Sequence, residues 1–113
     1  MRYQELSPIS HSEFEALTSS GSSSEKADAL LRLSLHDKDF EYSEARITAA
    51  LDDEVEEVRY AAVLAVAHLA RRHGRANSKT ILRLKALAVE PTMAGRIADC
   101  LDDIAIFVKR IDE

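Results

Sequence analysis

The sequence predicts an all-α fold: three antiparallel helical hairpins stacked in series, forming one domain over residues 1–113. Three observations carry this reading. Apolar residues make up 46% of the chain and aromatics only 5%, with no Trp, so Ala, Leu, Ile and Val must fill the core, which suits close-packed helices better than facing sheets. Residues 51–74, LDDEVEEVRYAAVLAVAHLARRHG, are echoed by residues 89–110, VEPTMAGRIADCLDDIAIFVKR. Setting Arg59 on Arg96 brings Ala61 onto Ala98, Leu64 onto Leu101 and Leu69 onto Ile106. Self-similarity at a few tens of residues marks stacked helical pairs, none of which buries its own apolar face alone. Finally, Val55, Val58, Ala61, Ala62, Val63, Leu64, Ala65, Val66, Ala67, Leu69 and Ala70 make one helix apolar nearly all round, and such a helix must be covered on several sides.

Caps and periodicity place six helices. The first covers residues 11–18, with Ser10 and Glu13 as a capping box behind Pro8. The Ser-rich run of residues 19–24 is a turn plus an N-cap, because Ser22 and Glu25 repeat the capping-box spacing. The second helix follows over residues 24–36, with Ala27, Leu30, Leu31, Leu33 and Leu35 apolar. Asp39 caps a third helix over residues 40–51, whose inward side chains are Phe40, Ile47, Ala50 and Leu51. The fourth helix, residues 54–73, starts after Asp53 and stops at Gly74, a residue free to take the left-handed conformation that ends helices. The fifth spans residues 78–89 and is stopped by Glu90-Pro91; the sixth spans residues 92–111, with Pro91 or Thr92 as its cap. Every connection is short, which favours antiparallel neighbours.

Asp53, Val58, Arg59, Ala61, Ala62 and Leu64 stand at the intervals with which HEAT repeats enter the second helix of a hairpin. The chain resembles that family over residues 51–72. The likeness is partial over residues 91–108, where Glu90-Pro91 replaces the Asp and Gly95 the Val, and only the Leu/Ala pattern survives in the first hairpin. The resemblance implies an α-solenoid in which Asp and Arg side chains of neighbouring repeats pair into a ladder, making Asp53 and Arg59 structural. It implies a habit of binding macromolecules and no reaction. In such a stack Ala62, Ala65 and Val66 face the next hairpin. Their counterparts in the last helix are Asp99, Asp102 and Asp103, a polar outer face of the kind terminal repeats require.

The net charge of −5 conceals an asymmetry: residues 37–57 hold nine acidic and two basic residues, and residues 58–89 hold seven basic and no acidic ones. Charge segregated in this way predicts a dipolar surface that steers a charged partner. The single Cys100, inside an apolar helical stretch, reads as a reduced core thiol and fits a cytoplasmic setting. No apolar run approaches the roughly 20 residues that span a membrane, and MRYQELSPISHSEF lacks the apolar core of a signal peptide, so an intracellular protein away from membranes is expected.

Two acidic groups are the candidate partner-binding residues. Asp52, Glu54, Glu56 and Glu57, with Asp53 beside them, exceed what the dipole of one helix start requires, and Tyr60 follows one turn on. Asp99, Asp102 and Asp103 form the second group; a straight helix cannot wrap a cation there, so no metal is expected. Arg71, Arg72, His73, Arg75, Lys79, Arg83 and Lys85 form a basic turn that suggests phosphate contacts, but the chain is acidic and no aromatic residue is interleaved for base stacking. His11, His36, His68 and His73 lack ligand spacing, and no Gly-rich phosphate loop or GxSxG motif occurs, so neither cofactor nor catalysis is expected.

A small, acidic, catalytically empty HEAT-like chain resembles bacterial immunity proteins, which bind and block a toxin domain from a rival cell. That resemblance implies a protein partner with a basic surface, such as a nuclease toxin. The alternatives are nucleic-acid binding through residues 71–85, or a general adaptor role.

Overall fold

The computed structural model describes residues 6–113, so the first five residues of the N-terminal segment read above for a signal peptide lie outside the description. The described chain folds into α1 (His11–Ser20), α2 (Ser23–His36), α3 (Phe40–Ala50), α4 (Glu56–His73), β1 (Arg75–Asn77), α5 (Ser78–Leu87), α6 (Pro91–Phe107) and β2 (Arg110–Asp112). All six predicted helices are present.

Their starts follow the local chemistry. Ser10 Oγ accepts from the Glu13 N–H at 3.1 Å. Ser22 and Glu25 form a full capping box, with both reciprocal bonds made, at 3.2 and 2.8 Å. Asp39 accepts from the Tyr42 N–H at 3.0 Å, and Gly74 ends α4 at φ 63°. One start differs from the prediction. The Asp53 carboxylate accepts from the Val55 N–H at 2.9 Å, holding a turn that delays α4 to Glu56. Val55, which has no side-chain acceptor, occupies the N-cap.

The fourth helix is central. Val58, Ala61, Ala62, Val63, Ala65, Val66, Ala67, Leu69 and Ala70 are all buried, and α4 packs against α2, α3 and α6. Each large apolar side chain removed from water here contributes about 1.5–3 kcal/mol, and the alanines let neighbouring helices approach closely. Leu30 and Leu33 of α2, Ile47 of α3, Leu84 of α5, and Met93 and Ile97 of α6 complete the same core. Contacts at both ends orient the helices. Ser24 Oγ donates to Glu57, and the Thr92 hydroxyl donates to Glu56, so α2, α4 and α6 begin side by side. At the far end Arg72 Nη1 donates to the Ser34 carbonyl at 2.8 Å and Arg71 lies 3.6 Å from Asp103. The three helices therefore run in the same direction. Polar contacts join α1, α3 and α5 in turn: Arg46 to Glu15 at 2.7 Å, and Thr48 to Thr80 at 2.8 Å.

The expectation of a purely helical chain needs one correction. β1 and β2 pair in parallel, Arg75 with Arg110, Ala76 with Ile111 and Asn77 with Asp112. The sixth helix consequently stops at Phe107 rather than reaching residue 111. The Lys109 N–H donates to the Gly74 carbonyl at 2.8 Å, drawing the chain beside β1. Strands of three residues are too short to show an alternating pattern in sequence.

Arg59 partly fits the implied ladder. Its Nη1 donates to the carbonyls of Asp53 at 2.8 Å and Glu54 at 3.1 Å, and Nη2 reaches Glu90 Oε1 at 3.4 Å. The Asp53 carboxylate is not its partner; the acidic residue one helix pair later is. Arg59 is largely buried, whereas Arg83, paired with Asp52, is half exposed. Arg59→Ala is expected to lower stability by about 1.5–3 kcal/mol through the loss of charge-assisted hydrogen bonds, and Arg83→Ala by less than about 0.5 kcal/mol. Thermal unfolding followed by circular dichroism checks this, and equal melting temperatures would remove the special role of Arg59.

Candidate functional site

The charge segregation of the sequence is partly cancelled in space. Arg75 binds Glu41 at 2.8 Å and Asp112 at 3.0 Å, Arg83 binds Asp52, and Arg71 binds Asp103. The Glu41 carboxyl is held below its ordinary value by the hydrogen bond from Arg75. Burial would raise Asp112, but hydrogen bonds from Arg75 and Arg110 hold it below as well. Arg72 donates to the Ser34 carbonyl, and His73 packs edge-on against Phe40, where burial lowers its proton affinity. Of the seven residues of the basic turn, Arg72, Lys79 and Lys85 stand exposed with no ion pair among the described residues. The dipolar surface is thereby reduced, and Arg72, Lys79 and Lys85 are the cations that the basic turn leaves for a phosphate backbone.

The acidic group at the start of α4 fares differently. Asp52 is taken by Arg83, but Glu54, Glu56 and Glu57 are exposed and have no cationic partner among the described residues. Glu56 accepts from the Thr92 hydroxyl and Glu57 from Ser24 Oγ at 3.3 Å. Because α2 and α6 start beside α4, Glu25 joins the same edge. Its capping bond to the Ser22 N–H accounts for its place in sequence and masked this second location. Tyr60 is only partly exposed. Its hydroxyl donates to the Thr92 carbonyl at 2.7 Å and the Arg96 guanidinium lies 4.6 Å over its ring, so it ties α4 to α6 and leaves one edge at the surface.

The structure divides Asp99, Asp102 and Asp103. Asp99 and Asp103 flank a cavity of about 80 Å³ at the seam between α4 and α6, lined also by Val63, Leu64, Ala67, Arg96 and Cys100. Asp102 stays in solvent without an ion pair among the described residues. Gly95, Ala98, Ala105 and Ile106 are exposed on α6 too, so its open surface is less polar than the capping expectation held. No three His, Cys, Asp or Glu side chains among the described residues are grouped to hold a metal ion. No helix among them is long and apolar enough to cross a membrane.

No family model matches the sequence, and no curated protein does either. Among solved structures, a chain in the crystal structure of a CDI complex from Cupriavidus taiwanensis LMG 19424 superposes with a TM-score of 0.83 at 33% identity, over 95% of this chain and 97% of that one. The present chain belongs to that chain's family. In this family member Cys100 is buried beside Asp103, and burial first, then the neighbouring carboxylate, pushes its thiol up to about 12. At neutral pH the group is a thiol, not a nucleophilic thiolate. A disulfide-exchange reagent at pH 7.5 is therefore expected to label Cys100 rapidly only after denaturation. Rapid stoichiometric labelling of the native chain would contradict its placement.

Proposed function

We propose that this chain is an immunity protein of a contact-dependent inhibition system, which binds the cognate toxin domain and blocks it by covering its working surface. The single observation that carries the reading is the likeness over nearly the whole length of both chains, at 33% identity, to a component of a CDI complex. The arrangement of α1–α6 supports reading the helices as three HEAT-like hairpins, a scaffold that presents edges and faces rather than a deep catalytic cleft.

The docking surface we assign is the edge at the starts of α2, α4 and α6, with Glu54, Glu56 and Glu57 at its centre, Glu25 and Tyr60 beside them, and Asp99, Asp102 and Asp103 along α6. Asp52 belongs to this group by position, but its bond to Arg83 reduces what it can offer. A partner with a basic surface fits, and a nuclease toxin, whose cleft must attract phosphates, has one. Blocking needs no cofactor and no chemistry.

A toxin domain encoded by a neighbouring gene would supply the test. Titration calorimetry is expected to give a 1:1 complex, and inhibition should be stoichiometric and unaffected by a metal chelator. Glu56→Lys combined with Glu57→Lys is expected to lower the association rate by about tenfold at low salt while the chain stays folded, with added salt narrowing the difference. Arg72→Glu should leave the rate within about twofold, since rim charges remote from a contact alter steering little. Absence of a complex at micromolar concentrations, or full inhibition at far fewer than one copy per toxin, would overturn the reading.

A further inference from the structure

β2 is an edge strand, and its sequence is complementary to itself. The Asn77 N–H of β1 is taken by Glu44 of α3 at 2.7 Å, on the side away from β2. Successive peptide groups of a strand alternate between its two edges, so it is Ala76 that faces β2 and bonds to Arg110 and Asp112, the neighbours of its register partner Ile111. The Arg110 N–H, donated to the Gly74 carbonyl at 3.2 Å, points the same way. The N–H and C=O of Ile111 are thus left on the open edge of the two-stranded sheet. Unpaired strand edges of this kind recruit further strands.

The residues around this edge indicate which strand. Residues 109–113 read Lys-Arg-Ile-Asp-Glu, an order in which reversing the direction exchanges the charges. In an antiparallel pair of two copies centred on Ile111, Lys109 faces Glu113 of the other copy, Arg110 faces Asp112, and Ile111 faces Ile111. The alternation of side chains puts both Arg–Asp pairs on one face and both Lys–Glu pairs with the Ile pair on the other. The two Ile111 residues would exchange both backbone hydrogen bonds, the geometry of a hydrogen-bonded antiparallel pair. Ile111 is 55% exposed, and Ile106 and Phe107, at the end of the preceding helix, are 66% and 40% exposed, so apolar surface borders the edge. Lys109 and Glu113 are exposed and make no ion pair among the described residues.

We propose that two copies of this chain associate through β2, forming a four-stranded sheet in the order β1-β2-β2-β1 about a twofold axis. A twofold contact uses the same patch on both copies, which a charge-palindromic strand satisfies. Three-residue strands with a few apolar neighbours bury less than the about 1,200 Å² of a standard interface, so the dimer is weak. It lies at the end of α4 opposite the acidic edge, so dimerisation leaves that edge open and does not depend on the function proposed for it.

Sedimentation equilibrium on the whole chain, from about 10 μM to about 1 mM, should show a rise from monomer mass toward dimer mass. Lys109→Glu alone and Glu113→Lys alone each set like charges opposite one another twice, and each should weaken self-association by about tenfold. An equimolar mixture of the two single variants should recover it, and so should the double variant, because the opposed charges again differ in sign. Ile111→Pro, which removes only an outward N–H, should abolish it while the melting temperature changes little. A chain that stays monomeric throughout the range would overturn the proposal. So would association that ignores these substitutions, failure of the mixture to recover, or variants that weaken toxin binding without any change in self-association, since the edge would then serve another strand.

Discussion

The structure depends on the need to cover α4. Its buried face runs around most of the helix, from Val58 through Ala70, and no single neighbour could shield it. Coverage by α2, α3 and α6 makes one helix the axis of the fold, and the alanines at positions 61, 62, 65, 67 and 70 determine how near those neighbours come. With α4 enclosed, the sites left for interaction are its ends and the outer helices. The acidic edge and the β-pair occupy those two ends.

Charge is distributed by the same geometry. The ion pairs of Arg46 with Glu15, Arg83 with Asp52 and Arg59 with Glu90 each join residues 31 apart, and Arg75 with Glu41 joins residues 34 apart. That separation is about the length of one helix pair plus its turns. An acidic stretch followed one helix pair later by a basic stretch is thus brought partly into register, so that Glu41 and Asp52 meet Arg75 and Arg83 while Glu54, Glu56 and Glu57 meet no cation among the described residues. The acid that stays free includes the start of α4, where Glu56 and Glu57 meet the hydroxyls of Thr92 and Ser24 rather than a cation.

The helices were legible because they announce themselves locally, through Ser10, Ser22, Asp39 and Gly74 and through the long apolar pattern of α4. The acidic first turn of α4 was equally plain. The β-pair was not, since its three-residue strands carry no period and are assembled by contacts from Gly74 and Glu44, far away in sequence. The pairing of Arg71, Arg75 and Arg83 with carboxylates was also hidden: residue types show which charges exist, while partners are decided by how helices lie side by side. Asp99, Asp102 and Asp103 show the remaining gap. Their spacing places them on one side of α6, yet contact with Arg71 and a place at the α4–α6 seam distinguish Asp103 from its solvent-facing neighbour Asp102.

The common direction of α2, α4 and α6 has an electrostatic consequence for how this edge can change. Each helix start carries roughly half a positive charge from its unpaired amides, and three such starts side by side concentrate roughly one and a half on one rim of the molecule. Glu25, Glu54, Glu56 and Glu57 sit where that field is strongest. Their sign is therefore favoured by the fold itself, by about 0.3–1 kcal/mol for each carboxylate at a helix start, so reversing one or two costs some stability without unfolding the chain. Divergence in recognition is channelled instead into the neutral and flanking positions of the rim, Ser24, Tyr60, Thr92 and Arg96, where shape and hydrogen bonding can vary while the acidic background persists.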